Sequence, residues 1–264
     1  MSYDPSAGIV AVAKAQGRVI GALLMRDMVV RYGRENIGFL WLIVEPLILT
    51  TGVMVLWSFM RQSEHGVTLV AFVLTGYMPL TLWRHISSQT VSCLRHNLPL
   101  LYHRNVRPLD LLIARSILEF AGSTLALVAV YITLRLADLL EPYADLGLAL
   151  SGWLFMAWLA FAAGLVLAAL SEQFDFVEKL VAPLQYLLLP VSGVFFMVSW
   201  LPSWVQEIAL YVPMVHCYEM FRAGIIGPSV DARYDTSYLL ACCLIGTLLG
   251  LLLVRQASRN LKFE

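Results

Sequence analysis

Apolar residues are grouped in long runs along the chain, and six of these runs set the architecture. The stretches 37–60, 67–83, 109–136, 147–170, 180–201 and 237–254 approach the length of about 20 mostly apolar residues that an α-helix needs to cross a bilayer. The pattern predicts an all-α integral membrane protein with six transmembrane helices. The second and sixth runs are short, and the third carries Arg115 and Glu119 near its start. Residues 25–34 follow another rule. Met25, Met28, Val29 and Tyr32 recur at i, i+3, i+4, i+7, with Asp27, Arg31 and Arg34 on the opposite side. That spacing predicts an amphipathic helix on the membrane face, with a solvated juxtamembrane helix as the plain alternative.

Two connections are also patterned. The polar, basic stretch 84–108 closes with Arg107-Pro108, and its middle, 97–105, predicts a short helix lying across the membrane face. In 200–236, Ser203 followed by Gln206 has the spacing of a capping box. Trp204, Val205, Ile208 and Tyr211 or Val212 then form an amphipathic pattern that stops at Pro213, and a second apolar run covers 215–226. Neither piece is long enough to span. Together they predict a re-entrant helical hairpin at 202–227, between spans five and six, whose broken backbone must be buried against protein. Two helices resting on the surface are the alternative.

Composition supports this reading. Of 264 residues, 59% are hydrophobic and 14% charged, far from the roughly one-quarter charged of soluble domains. Net charge is zero, so bulk charge points to no nucleic-acid partner. The distribution of charge is more informative. With the N-terminus inside, 14 of the 18 Lys and Arg residues fall in cytoplasmic segments and four (Arg61, Arg135, Arg222, Arg233) outside. This bias predicts that both termini are cytoplasmic. No stretch outside the spans is long enough for a second folded domain, so 1–264 reads as a single membrane domain.

Candidate chemistry is sparse. No GxxxxGK[ST] phosphate loop occurs, and no HExxH, GxSxG or paired-carboxylate site. The chain is expected to be no enzyme, to bind no ATP, and to hold no metal or cofactor. Cys93, Cys217, Cys242 and Cys243 lack metal or disulfide spacing and read as small apolar side chains. His85, His96 and His103 read as surface residues. Glu45, followed by the helix-kinking Pro46, lies eight residues into the first span. It either lines a channel or pairs with a base of the interface helix such as Arg26 or Arg34. Arg115 and Glu119 can pair at i, i+4. Small residues at 160, 164 and 168 and at 246 and 250 let helix backbones approach closely. Trp57, Tyr77, Phe195, Phe196 and Trp200 lie near span ends. They read as interfacial belt residues or, since flat rings stack on sugars, as channel and gate candidates.

Three segments carry a family resemblance: LLMRDMVVRYGRENIGFLWLIVEP at 23–46, LLYHRNVRPLDLLIARSILE at 100–119, and LPSWVQEIALYVPMVHCYEMFRAGIIG at 201–227. They resemble the permease subunit of ABC-2 type exporters, most of all the capsular polysaccharide export permeases of Gram-negative bacteria. One departure is Val212, where related permeases often have Asn before the proline. The resemblance implies a multi-pass protein of the bacterial inner membrane that works as a homodimer with two copies of a cytoplasmic ABC ATPase, which would bind ATP and Mg. It further implies a lipid-linked polysaccharide substrate led through a channel between the two copies, then a periplasmic adaptor and an outer-membrane export protein. It makes 97–107 a coupling helix, with Asn97, Leu98, Leu101, Tyr102, His103, Arg104 and Arg107 facing the ATPase. The interface helix at 18–34, with Arg26, Asp27, Arg31 and Arg34, would touch the same partner. Other cargoes (O-antigen, teichoic acid, a drug) fit the same plan. An ion-coupled secondary transporter would need mid-span ionisable residues and inverted repeats; Glu45 is the one candidate residue and no repeat is visible.

Overall fold

The computed structural model describes residues 9–32, 67–101 and 106–260, together with Val44, Ile48, Thr51, Gly52 and Val55. Arg34, Glu45, Trp57, most of the expected span 37–60, Tyr102, His103, Arg104 and the side chain of Arg31 lie outside the described residues. Among the described residues the fold is all-helical. In chain order the helices are α1 (Ile9–Tyr32), α2 (Leu69–Val91), α3 (Cys93–His96), α4 (Leu98–Leu101), α5 (Pro108–Leu136), α6 (Leu146–Gln173), α7 (Asp175–Leu188), α8 (Ser203–Ala209), α9 (Pro213–Ile226) and α10 (Thr236–Asn260). Three described helices are long and apolar enough to cross a membrane: Pro108–Leu136, Leu146–Gln173 and Thr236–Arg259.

Helix α6 is the hub, because it is rich in small residues where neighbours cross it. Any Cβ at Gly152 would lie 2.6 Å from the Phe221 backbone nitrogen of α9, and at Gly164 it would lie 2.5 Å from the Thr90 hydroxyl oxygen of α2. On α10, a Cβ at Gly250 would lie 2.6 Å from the Leu165 Cβ. The small-residue spacings therefore serve close helix contacts within the chain. Two apolar cores flank α6. The larger gathers Leu74, Met78, Leu82 and Ile86 of α2 with Trp153, Met156, Tyr218 and Phe221. The other joins Leu23 of α1 to Cys93, Leu94, Leu112, Leu165 and Val254. On α10, Leu244, Ile245, Leu248, Leu249 and Leu252 remain exposed, a surface suited to lipid and far too apolar for water.

Three elements depart from the sequence expectation. The apolar run 180–201 is not one helix: α7 ends at Leu188, and the chain continues through Pro190 and Gly193 (φ 98°) to a 3-10 turn at Val198–Trp200. Leu189 still has helical angles, but Pro190 supplies no N–H to extend the helical ladder. Ser203 opens α8 without capping it; the Gln206 amide instead donates to the Leu201 carbonyl at 2.8 Å. The interface helix begins at Ile9, well before residue 18, and its orientation is informative. Met25, Met28 and Val29 are exposed, while the Asp27 side chain, 12% accessible, faces the protein.

Candidate functional site

Polar side chains are concentrated at two places, one at each end of the bundle. At the first, Arg26 of α1 donates to Asp27 at 2.6 Å and to the Asn97 side-chain oxygen at 2.7 Å. Asp27 lies 3.8 Å from Arg115 of α5, and Arg115 lies 3.6 Å from Glu119 one turn on and donates to Gln89 of α2. One connected network thus ties α1, the connection after α2, and α5. Asn97 is itself fixed, its amide donating to the Cys93 carbonyl at 2.8 Å. At the start of α5, the Arg107 N–H donates to Asp110 at 2.9 Å, and Gln16 of α1 donates to the same carboxylate. Arg95 bridges to Asp175 at 2.5 Å and donates to the Ser171 carbonyl at 2.8 Å. The Asp175 carboxylate holds the Arg95 guanidinium above its ordinary value.

At the other end, α9 is almost wholly buried and carries His216, Glu219 and Arg222 at i, i+3, i+6. Each satisfies backbone groups of the surrounding loops. Arg222 donates to the carbonyls of Gly193 (2.8 Å), Val194 (2.7 Å) and Phe196 (2.5 Å), the non-helical stretch after α7. Its guanidinium lies 4.7 Å above the Phe72 ring. Glu219 accepts from the backbone N–H of Val198 (3.2 Å) and of Arg233 (3.1 Å). His216 Nδ1 accepts from the Asp235 N–H at 2.9 Å, and Nε2 donates to the Leu210 carbonyl at 2.8 Å. Backbone buried without helix or sheet needs such partners; this triplet supplies them on both sides of α9.

Next to Arg222 lies a cavity of about 150 Å³, lined by Phe72, Tyr77, Leu80, Leu189 and Phe195 among others and reaching Arg84. Two of the aromatic candidates, Tyr77 and Phe195, therefore line one cavity. Trp200 stacks on Phe72 with ring centroids 5.0 Å apart. Phe196 is absent from the lining; what it contributes is its carbonyl, to Arg222. Of the connection residues, Asn97 and Arg107 enter the contacts above, while Leu98 and Leu101 sit on the four-residue helix α4. Sequence reasoning missed His216, Glu219 and Arg222. Their signal was three polar residues in register on one helix face inside an otherwise apolar run.

These features define a helical membrane domain whose polar contacts join helix ends and loops. The chain belongs to the ABC-2 type transporter family, whose model matches residues 18–226. It is 44% identical to the capsule polysaccharide export inner-membrane protein CtrC of Neisseria meningitidis serogroup B, and 43% identical to the protein of the same description, BexB, of Haemophilus influenzae, each over 94% of both chains. Similarity extends to the polysialic acid transport protein KpsM of Escherichia coli, 28% identical over 92% of this chain and 94% of that one.

Proposed function

We propose that this chain is the inner-membrane permease subunit of an ATP-driven capsule polysaccharide exporter. The observation that carries this reading is the 43% and 44% identity, along 94% of both chains, to proteins named for capsule polysaccharide export. In this reading the chain crosses the membrane six times with both termini inside, and 202–227 re-enters from the outer side. Two copies enclose the path of a lipid-linked polysaccharide. ATP and Mg are bound by two copies of a cytoplasmic ABC ATPase, and the polymer passes on to a periplasmic adaptor and an outer-membrane protein.

The polar networks suggest how force would travel. Closure of the ATPase pair would press on 97–107. Asn97 would pass the displacement to Arg26, and Asp27 to Arg115, so α1 and α5 would move as a unit, a rigid-body change of the kind proteins use for switching. The buried triplet on α9 would keep the outer loops in register meanwhile.

Deleting the gene in a capsulated strain tests the assignment. Polymer made but retained in the cytoplasm, and released again when the intact gene is restored, is the expected result; unchanged surface capsule would overturn it. Tyr102, His103 and Arg104 replaced together by Ala should leave the partner's ATP hydrolysis unresponsive to this chain.

A further inference from the structure

We propose that the cavity between α2 and the 189–195 loop holds one acyl chain of an anionic phospholipid, with the lipid phosphate on the Arg84 guanidinium. Val73, Gly76, Tyr77, Leu80 and Arg84 all line it, at i, i+3, i+4, i+7 and i+11 of α2, which puts them on one helix face. At 1.5 Å per residue the stripe is about 16 Å long, close to one leaflet of a hydrocarbon core about 30 Å thick. The wall opposite is Leu189, Val194 and Phe195, and Phe195 is 46% exposed, so the cavity opens to the outside of the bundle. An apolar cavity gives water nothing to bond to. In a membrane the surrounding solvent is hydrocarbon chain.

Arg84 decides which lipid enters. Its contacts are with Tyr186, whose hydroxyl it meets at 3.3 Å and over whose ring it lies at 4.9 Å. Among the described residues it makes no ion pair. A guanidinium seven residues inside the end of α2 is costly near hydrocarbon unless an anion meets it, and its fork of N–H donors matches a phosphate. Cation at one end and apolar slot along the rest fit a phosphodiester headgroup with its chain. The inference concerns a site on the chain itself and does not depend on the exported cargo.

The test is native mass spectrometry of the purified full chain, equilibrated with equal amounts of phosphatidylglycerol and phosphatidylcholine. Wild type should retain phosphatidylglycerol over phosphatidylcholine by about five-fold, the effect of one basic side chain at a membrane surface. R84Q should remove the preference, R84K should keep it, and L189W, which fills the slot, should release the lipid with Arg84 intact. Matched thermal unfolding of R84Q and R84K ensures that lost folding is not being read as lost binding. Water-soluble glycerophosphoglycerol should not displace the lipid. Equal retention of both lipids by wild type, an undiminished preference in R84Q, retention in L189W, or displacement by the free headgroup would each overturn the proposal.

Discussion

The Arg26 guanidinium donates to the side-chain oxygen of Asn97 at 2.7 Å, although the two residues are 71 positions apart. This contact binds the first helix to the connection after the second, and through Asp27 and Arg115 it reaches α5. In the function proposed above, this contact would lie where force from the partner ATPase enters.

A double-mutant cycle tests that role. R26A and N97A are each expected to lower ATP-driven export about five-fold, from a coupling energy of about 1 kcal/mol. The double variant should lose little more than either single one. Additive losses, measured as export per ATP hydrolysed, would mean that the two residues act separately.

Arg222 should be indispensable to folding. It satisfies three carbonyls of a segment with no secondary structure of its own, so R222A is expected to cost about 3 kcal/mol or more. R222K, lacking the planar fork, should recover only part of this. Thermal unfolding of the detergent-solubilised chain reads both.

Close approach at α6 predicts a sharp contrast between two glycines. G152A places a Cβ 2.6 Å from the Phe221 nitrogen and 2.9 Å from the Cys217 carbonyl, both backbone atoms that cannot swing aside. It should destabilise by about 1–3 kcal/mol. At Gly21 of α1 a Cβ meets nothing within 4 Å, so G21A should be neutral or stabilise by about 1 kcal/mol through helix propensity. The same unfolding assay compares them.

Acidity should weaken the start of α10. Asp235 accepts from the Ser237 hydroxyl at 2.5 Å and from the Tyr238 N–H at 3.1 Å, and these bonds hold its carboxyl below its ordinary value. A group depressed in the folded state contributes stability above its unfolded pKa, about 3.9 for Asp, and loses that contribution as pH falls through the folded value. D235A should therefore unfold at a lower temperature than wild type at neutral pH, and the gap should narrow below about pH 4. A gap independent of pH would refute the capping role.

Long helices were legible in the chain because an apolar run of membrane length has few other uses: 109–136, 147–170 and 237–254 lie within α5, α6 and α10. The Arg115–Glu119 pair was legible because it is local to one helix. The 180–201 run misled because apolar residues alone do not make a helix. Pro190 breaks it, and the carbonyls left over are satisfied by Arg222, about 30 positions downstream. Such partners are invisible to periodicity, as is the Arg26–Asn97 bond. Tyr77 and Phe195 were recognisable as aromatic candidates, but that they share a cavity with Arg84 follows only from the way the 189–195 loop folds back on α2.

In the proposed function this chain passes capsule polysaccharide across the membrane using energy from a partner ATPase. Inside-out vesicles containing the chain, its ATPase and lipid-linked polymer test it most directly, with the proton gradient collapsed and ATP supplied. Polymer should become protected inside the vesicles, and should not when ATP is replaced by a non-hydrolysable analogue. Protection that needs the gradient and proceeds without ATP would contradict the claim and point to an ion-coupled transporter.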